Sequence, residues 1–156
     1  QTNEIIKDGW LYTGDEGSID NEGFLKITGR VKDIFKTTKG KYVAPTPIEM
    51  KLSENNYIEQ VCVVGNGIPQ PIALAVLSEN SKNSPDIKSS ILKTLDSVNQ
   101  SLEKHEVINN VVLLKENWTV ENKFLTPTMK IKRNSIEKKY QDNYTTWYEK
   151  DKILEL

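Results

Sequence analysis

The longest unbroken apolar run in this chain is six residues, Ile72-Ala73-Leu74-Ala75-Val76-Leu77. A helix that crosses a bilayer needs about 20 apolar residues, so the sequence supplies no transmembrane segment. A run of six bounded by turn residues reads instead as a buried strand. Val61-Cys62-Val63-Val64 precedes it across the turn-rich stretch Gly65–Pro71, which fits an antiparallel pair, and Val111-Val112-Leu113-Leu114 reads as a third buried strand. Between them Ile87, Ile91, Leu95, Val98 and Leu102 recur at helical spacing, so one face of that helix is core. Ser84-Pro85-Asp86 offers it a start: a capping hydroxyl, a proline in the first turn and an acid at the positive end of the dipole.

The lead segment is organised differently. Trp10–Thr13 is aromatic and β-prone, and Gly14-Asp15-Glu16-Gly17 reads as a break. Asp20-Asn21-Glu22-Gly23 signals a turn into a second strand, Phe24–Thr28. A strand is expected over Asp33–Thr38, turning at Lys39-Gly40-Lys41 into Tyr42-Val43. Pro45 and Pro47 then mark the entry to a short helix over 48–53. Residues 118–129 read as a loop containing Pro127, and 131–148 as polar and largely helical. The fold class is α+β: a short β-hairpin plus a small mixed sheet flanked by helices over 32–156, preceded by strands that belong to something else.

Charge is balanced overall, with a net of -1 over 156 residues, but unevenly spread. Residues 1–22 carry Glu4, Asp8, Asp15, Glu16, Asp20 and Glu22 against Lys7. Residues 26–41 carry Lys26, Arg30, Lys32, Lys36, Lys39 and Lys41 against Asp33, and residues 123–139 a similar basic run against Glu137. Such clusters attract phosphates, although a solvated basic face is common. The single cysteine, Cys62, excludes a disulfide framework, alternates with valines in a core-like strand and reads as an inert buried thiol. The single histidine, His105, reads as surface, and no metal site is expected. The first residues are polar and acidic, unlike a signal peptide. A start at Gln1 rather than Met suggests a piece of a longer chain.

Two blocks carry specific information. Asp8-Gly9-Trp10-Leu11-Tyr12-Thr13-Gly14-Asp15 is followed by Gly23-Phe24-Leu25-Lys26-Ile27-Thr28-Gly29-Arg30-Val31-Lys32-Asp33. Together they resemble the adenylate-forming (AMP-binding) enzyme superfamily. Phe35–Pro45 with Pro47-Ile48-Glu49, and Leu125-Thr126-Pro127-Thr128-Met129-Lys130-Ile131-Lys132-Arg133, are similar to its long-chain fatty acyl-CoA synthetase branch. The resemblance covers essentially the whole chain, in order.

It implies a role for each motif residue. Asp15, a carboxylate in a glycine-flanked turn, would hold ribose hydroxyls of ATP or AMP, and Arg30 would contact the ribose or phosphate region. Lys32 would sit at a hinge, where a solvated residue tolerates large dihedral change. Lys130 would be catalytic, bridging the attacking carboxylate and the α-phosphate as charge develops. Gly40 would face the pantetheine arm of CoA, with Lys36 beside it, although a plain hairpin glycine and a solvated lysine stay open. Met129 stands where many relatives have glycine.

The resemblance further implies that residues 1–31 are terminal strands of a large N-terminal adenylation domain and that 32–156 form a mobile C-terminal domain. The whole enzyme would use ATP with Mg2+, a fatty acid and CoA, and this piece would be inactive alone, because no phosphate-binding loop and no acyl pocket lie within it. Its partner would be its own N-terminal domain. The expected location is cytoplasmic, with peripheral membrane contact through the rest of the enzyme left open. Two alternatives stand: an acyl-AMP ligase delivering to a carrier protein, and a non-catalytic module binding nucleic acid or acidic protein. A pI near 6.0 argues against nucleic acid.

Overall fold

The computed structural model describes residues 6–81 and 84–156. Glu4, counted among the acids of the lead segment, lies outside them. Four strands form a mixed sheet at the centre: β7 (Ile58–Val64), β8 (Ile72–Leu77), β9 (Val111–Leu114) and β10 (Ile153–Glu155), in the order β10-β9-β8-β7. The β7/β8 pair is antiparallel, with Val61 opposite Ala75 and Val63 opposite Ala73, whereas β8/β9 and β9/β10 are parallel.

Both faces of this sheet are covered, which is why its strands read as continuous apolar runs rather than alternating ones. On one face Val61, Val63, Ala73, Ala75, Val111 and Leu113 pack against α1 (Pro45–Leu52) and α2 (Ile87–Gln100). Ile87, Ile91, Leu95 and Val98 are the buried stripe of α2, as their spacing predicts. On the other face Cys62, Val64, Ile72, Leu74, Val76 and Val112 pack against α3 (Arg133–Tyr140), α4 (Tyr144–Tyr148) and the aromatic residues Trp118 and Phe124. A sheet whose successive side chains alternate between two helical layers is the small mixed α+β architecture expected.

Several boundaries differ from the sequence reading. Helix α2 starts at Ile87, with Asp86 as the flanking residue and no side-chain cap, so Ser84 and Pro85 lie in the preceding turn. Helix α1 begins at Pro45, three residues earlier than expected, because proline suits a first helical turn. Strand β10 was not expected at all. Three residues are a weak signal, and this strand is added by its parallel register to β9.

Ahead of the sheet, β1 (Ile6–Lys7) pairs with β2 (Trp10–Leu11), and β3 (Asp15–Ile19) pairs antiparallel with β4 (Leu25–Arg30). A 3-10 turn at Val31–Asp33 leads into β5 (Phe35–Lys36) and β6 (Tyr42–Val43), so β5 is shorter than the strand expected through Thr38. Little of the lead segment is buried: Trp10, Ile19 and Phe24 are each about 70% exposed (74%, 72% and 67%). Among the described residues no helix is long and apolar enough to cross a membrane.

Candidate functional site

Three hairpins in this chain reverse by the same turn. In each, the first residue accepts from the fourth residue's N–H and donates its own N–H to the fifth residue's carbonyl, and the fourth residue is left-handed. In the β3–β4 hairpin these are Asp20, Gly23 (φ 89°) and Phe24. In the β5–β6 hairpin they are Thr37, Gly40 (φ 78°) and Lys41. In the third they are Thr126, Met129 (φ 60°) and Lys130, with donor–acceptor distances of 2.8 Å for both bonds. This is a four-residue turn closed by a left-handed bulge residue, a position that favours glycine. Met129 occupies this glycine-favouring position under strain.

The third hairpin lies at the end of the loop expected over 118–129, which otherwise stands as turn and coil. Leu125 pairs with Ile131, and Lys132 N–H donates to Phe124 O at 2.7 Å, so α3 begins at Arg133 and the stem is short and fixed. Thr126 Oγ1 accepts from Lys130 N–H at 3.0 Å and lies 3.0 Å from Thr128 Oγ1. The lysine side chain stands exposed at the end of this stem.

Asp15 and Arg30 are opposite each other in the β3–β4 register, and Arg30 Nε donates to Asp15 Oδ1 at 3.0 Å. Asp15 is therefore the first residue of a strand and not part of a turn. Gly14, with φ 77°, makes the bend ahead of it, and Asp15 N–H donates to Thr13 Oγ1. A cleft of about 680 Å³ is lined by Asp15, Arg30, Thr126 and Lys130 together, with Glu49 and Arg133 on its wall. Lys32 lies in the 3-10 turn and lines an adjoining hollow with Arg30 and Asn134. Gly40 and Lys36 do not line the cleft. Gly40 sits at its hairpin tip, and Lys36 Nζ lies over the Tyr42 ring, 5.4 Å from its centroid.

The cleft's wall is held by residues to which the motifs assign no role. Arg133 Nη2 donates to Glu49 Oε1 at 2.5 Å, and Arg133 Nη1 donates to Val63 O at 2.7 Å. Glu49 Oε1 also accepts the Val63 N–H at 2.7 Å. Arg133 Nε lies 4.0 Å from Asp33 Oδ2, the carboxylate next to Lys32. Burial pushes the Glu49 carboxyl up, opposed by the adjacent Arg133. Burial also works against the Arg133 charge, but the surrounding groups, Glu49 and Asp33 among them, raise its pKa and keep it protonated. Glu137 is raised by burial as well, again opposed by Arg133. Burial pushes the Cys62 thiol up, so the thiol is inert as expected. The available signal was an arginine, suited to a forked contact, within a lysine-rich run, and a lone acid in α1. Among the described residues no group of three His, Cys, Asp or Glu side chains could hold a metal ion.

The mixed sheet between two helical layers has counterparts among solved structures. The adenylation domain of a carboxylate reductase from Mycobacterium chelonae superposes with a TM-score of 0.78 at 25% identity, over 96% of this chain and 25% of that one. The chain belongs to the AMP-binding enzyme C-terminal domain family, whose model matches residues 32–152. Fatty acyl-CoA synthetase B of Dictyostelium discoideum is 32% identical over 96% of this chain and 25% of its own length. The long-chain-fatty-acid–CoA ligase FadD15 of Mycobacterium tuberculosis is 34% identical over 96% of this chain and 28% of its own. The chain thus spans about a quarter of the length of the curated relatives it matches.

Proposed function

We propose that this chain is the C-terminal part of an ATP-dependent fatty acyl-CoA synthetase, with 1–31 ending a large N-terminal domain and 32–156 forming the domain that moves against it. The observation that carries this reading is the shared cleft of Asp15, Arg30 and Lys130. The exposed apolar residues of the lead segment support it, since Trp10, Ile19 and Phe24 standing in solvent call for a covering surface.

In the first half-reaction a fatty acid carboxylate attacks the α-phosphate of ATP, and pyrophosphate leaves. Asp15 accepts from the ribose hydroxyls, and Arg30, already paired to it, is within reach of the ribose or phosphate. Lys130, an ammonium carried on a rigid stem, faces the negative charge that develops on both reacting partners and stabilises it without transferring a proton. Mg2+ accompanies the ATP phosphates outside this chain. In the second half-reaction, rotation at Lys32 withdraws Lys130 and presents the Gly40 hairpin with Lys36, and the CoA thiolate displaces AMP from the acyl carbonyl.

In the full-length enzyme, Lys130→Ala should cripple pyrophosphate exchange while leaving thioester formation from supplied acyl-adenylate largely intact. Equal loss in both half-reactions would refute the assignment. Acyl transfer to a phosphopantetheinylated carrier protein in preference to CoA would move the reading to an acyl-AMP ligase. The isolated 156-residue chain is expected to show no pyrophosphate exchange.

A further inference from the structure

We infer that Arg133 is a positioning residue for Lys130, and that its contact with Asp33 transmits rotation at the hinge segment to the lysine hairpin. The inference rests on the function proposed above and assigns two residues that reading leaves without a role.

Arg133 follows Lys130 by three residues and is the first residue of α3, directly after Lys132, whose N–H closes the stem of the lysine hairpin on Phe124 O. Its side chain is 10% exposed and reaches away from the hairpin into three other elements. One guanidinium nitrogen bonds Glu49 in α1. A second bonds Val63 O in β7 and lies 3.2 Å from Cys62 Sγ. The third nitrogen, Nε, is buried and makes no hydrogen bond among the described residues, and it faces Asp33 at 4.0 Å. A planar fork with fixed donor directions can join three elements at one point in a way that a flexible ammonium cannot.

Asp33 ends the Val31–Asp33 turn, immediately after Lys32. It is the first carboxylate carried round when the backbone turns at residue 32. Phe35 ties β5 to the core, and without a tie to Arg133 the lysine hairpin, far along the chain, would follow rotation at Lys32 only through that core. With the tie, the start of the moving body and the residue block bearing Lys130 are held by one side chain. At 4.0 Å the Nε–Oδ2 contact is about 1 Å too long for a hydrogen bond and acts as an ion pair between a buried guanidinium and a carboxylate that is one-third exposed (33%).

The test uses the full-length enzyme and follows both half-reactions for Asp33→Ala, Asp33→Glu and Arg133→Lys. Asp33 is only partly buried, so its variants should fold, and a melting curve checks this. The expected result for Asp33→Ala is a fall of about tenfold in kcat for pyrophosphate exchange. KM for ATP and thioester formation from supplied acyl-adenylate should stay within about twofold. Asp33→Glu, which keeps the carboxylate, should recover most of the lost rate. Arg133→Lys, which loses the fork, should show the same selective loss as Asp33→Ala. Unchanged pyrophosphate exchange in Asp33→Ala, or an equal fall in both half-reactions with no recovery in Asp33→Glu, overturns the inference and leaves the function standing. An unmodified enzyme that performs neither half-reaction overturns the function itself.

Discussion

Glu49 and Arg133 meet at 2.5 Å on the outer edge of β7, and between them they satisfy both backbone groups of Val63. β7 is the last strand of its sheet, so one side of its backbone has no neighbouring strand. The carboxylate takes the Val63 N–H and the guanidinium takes the Val63 carbonyl, as a paired strand would. Removing one partner leaves a buried charge and an unpaired peptide group. Glu49→Ala should therefore cost about 3–5 kcal/mol. An isolated buried ion pair can often be replaced by apolar residues without loss. Here the combined Glu49→Leu, Arg133→Met variant should stay destabilised by about 2 kcal/mol or more, because two buried peptide groups are left open. Urea denaturation of the chain and its variants decides, and full recovery in the double variant would sink the edge-capping account.

Gly65 has no room for a side chain. A Cβ at that position would lie 2.4 Å from Phe35 Cε2, 2.9 Å from Phe35 Cζ and 3.2 Å from Pro71 Cα. The Phe35 ring is buried just after the Val31–Asp33 turn, so its displacement would disturb the packing that anchors that turn. Gly65→Ala is expected to destabilise by about 1–3 kcal/mol, the range for overpacking. Thermal melting would show it, and an unchanged Tm would mean that the ring moves aside freely.

Much of this was legible in the sequence, for reasons that differ by residue. The apolar strands, the α2 stripe and the order of elements follow from periodicity, because one hydrophobic surface must face each helical layer. Asp15, Arg30 and Lys130 were each named from motif position; the structure pairs the first two and puts all three on one cleft. The Arg133–Glu49–Val63 clamp was not visible, since it joins residues 84 positions apart and its worth depends on burial. The loop over 118–129 was legible, but the tight turn at its end was not, because neither Thr126 nor Met129 is a usual turn residue. β10 is too short for its pattern to speak.

Met129 and Gly40 offer a matched pair of tests, since they hold the same place in the same turn. A non-glycine residue in the left-handed region costs about 1–2 kcal/mol, whereas glycine adds about 0.4–1 kcal/mol of unfolded-state entropy. Strain is the larger effect. Met129→Gly should therefore stabilise by about 0.5–1 kcal/mol and Gly40→Ala should destabilise by a similar amount. Both follow from chemical denaturation. A loss of stability in Met129→Gly would show that its exposed side chain contributes more than its backbone costs.

Lys139 donates to Glu116, holding that carboxyl below its ordinary 4.5, and Lys139 is raised in turn. A depressed acid contributes stability above its unfolded value and loses it as pH falls through the folded value. The contribution is therefore whole above about 4.5 and fades below it. Both side chains are more than two-fifths exposed (44% and 42%), so the effect is limited to about 0.2–1 kcal/mol. Glu116→Gln should lower stability slightly at pH 7 and flatten its decline below pH 4.5. Identical pH profiles for the two proteins would exclude the pair as a contributor.

Lys32 sits exposed in the middle of the Val31–Asp33 turn, and Val31 N–H is tied to Gly14 O at 3.0 Å. Proline at 32 fixes its own φ near −65° and biases Val31 towards extended backbone. The turn tolerates that φ at residue 32 but not the extended bias at Val31, its first residue, so Lys32→Pro should cost some local stability, read by a melting curve, while removing the dihedral freedom that the proposed rotation needs. In the full-length enzyme, the arrangement seen here, with Lys130 in the Asp15–Arg30 cleft, should then persist. Pyrophosphate exchange is expected to stay within about threefold, and thioester formation to fall by about tenfold or more. Loss of pyrophosphate exchange with thioester formation retained would mean that the turn is held in the opposite state.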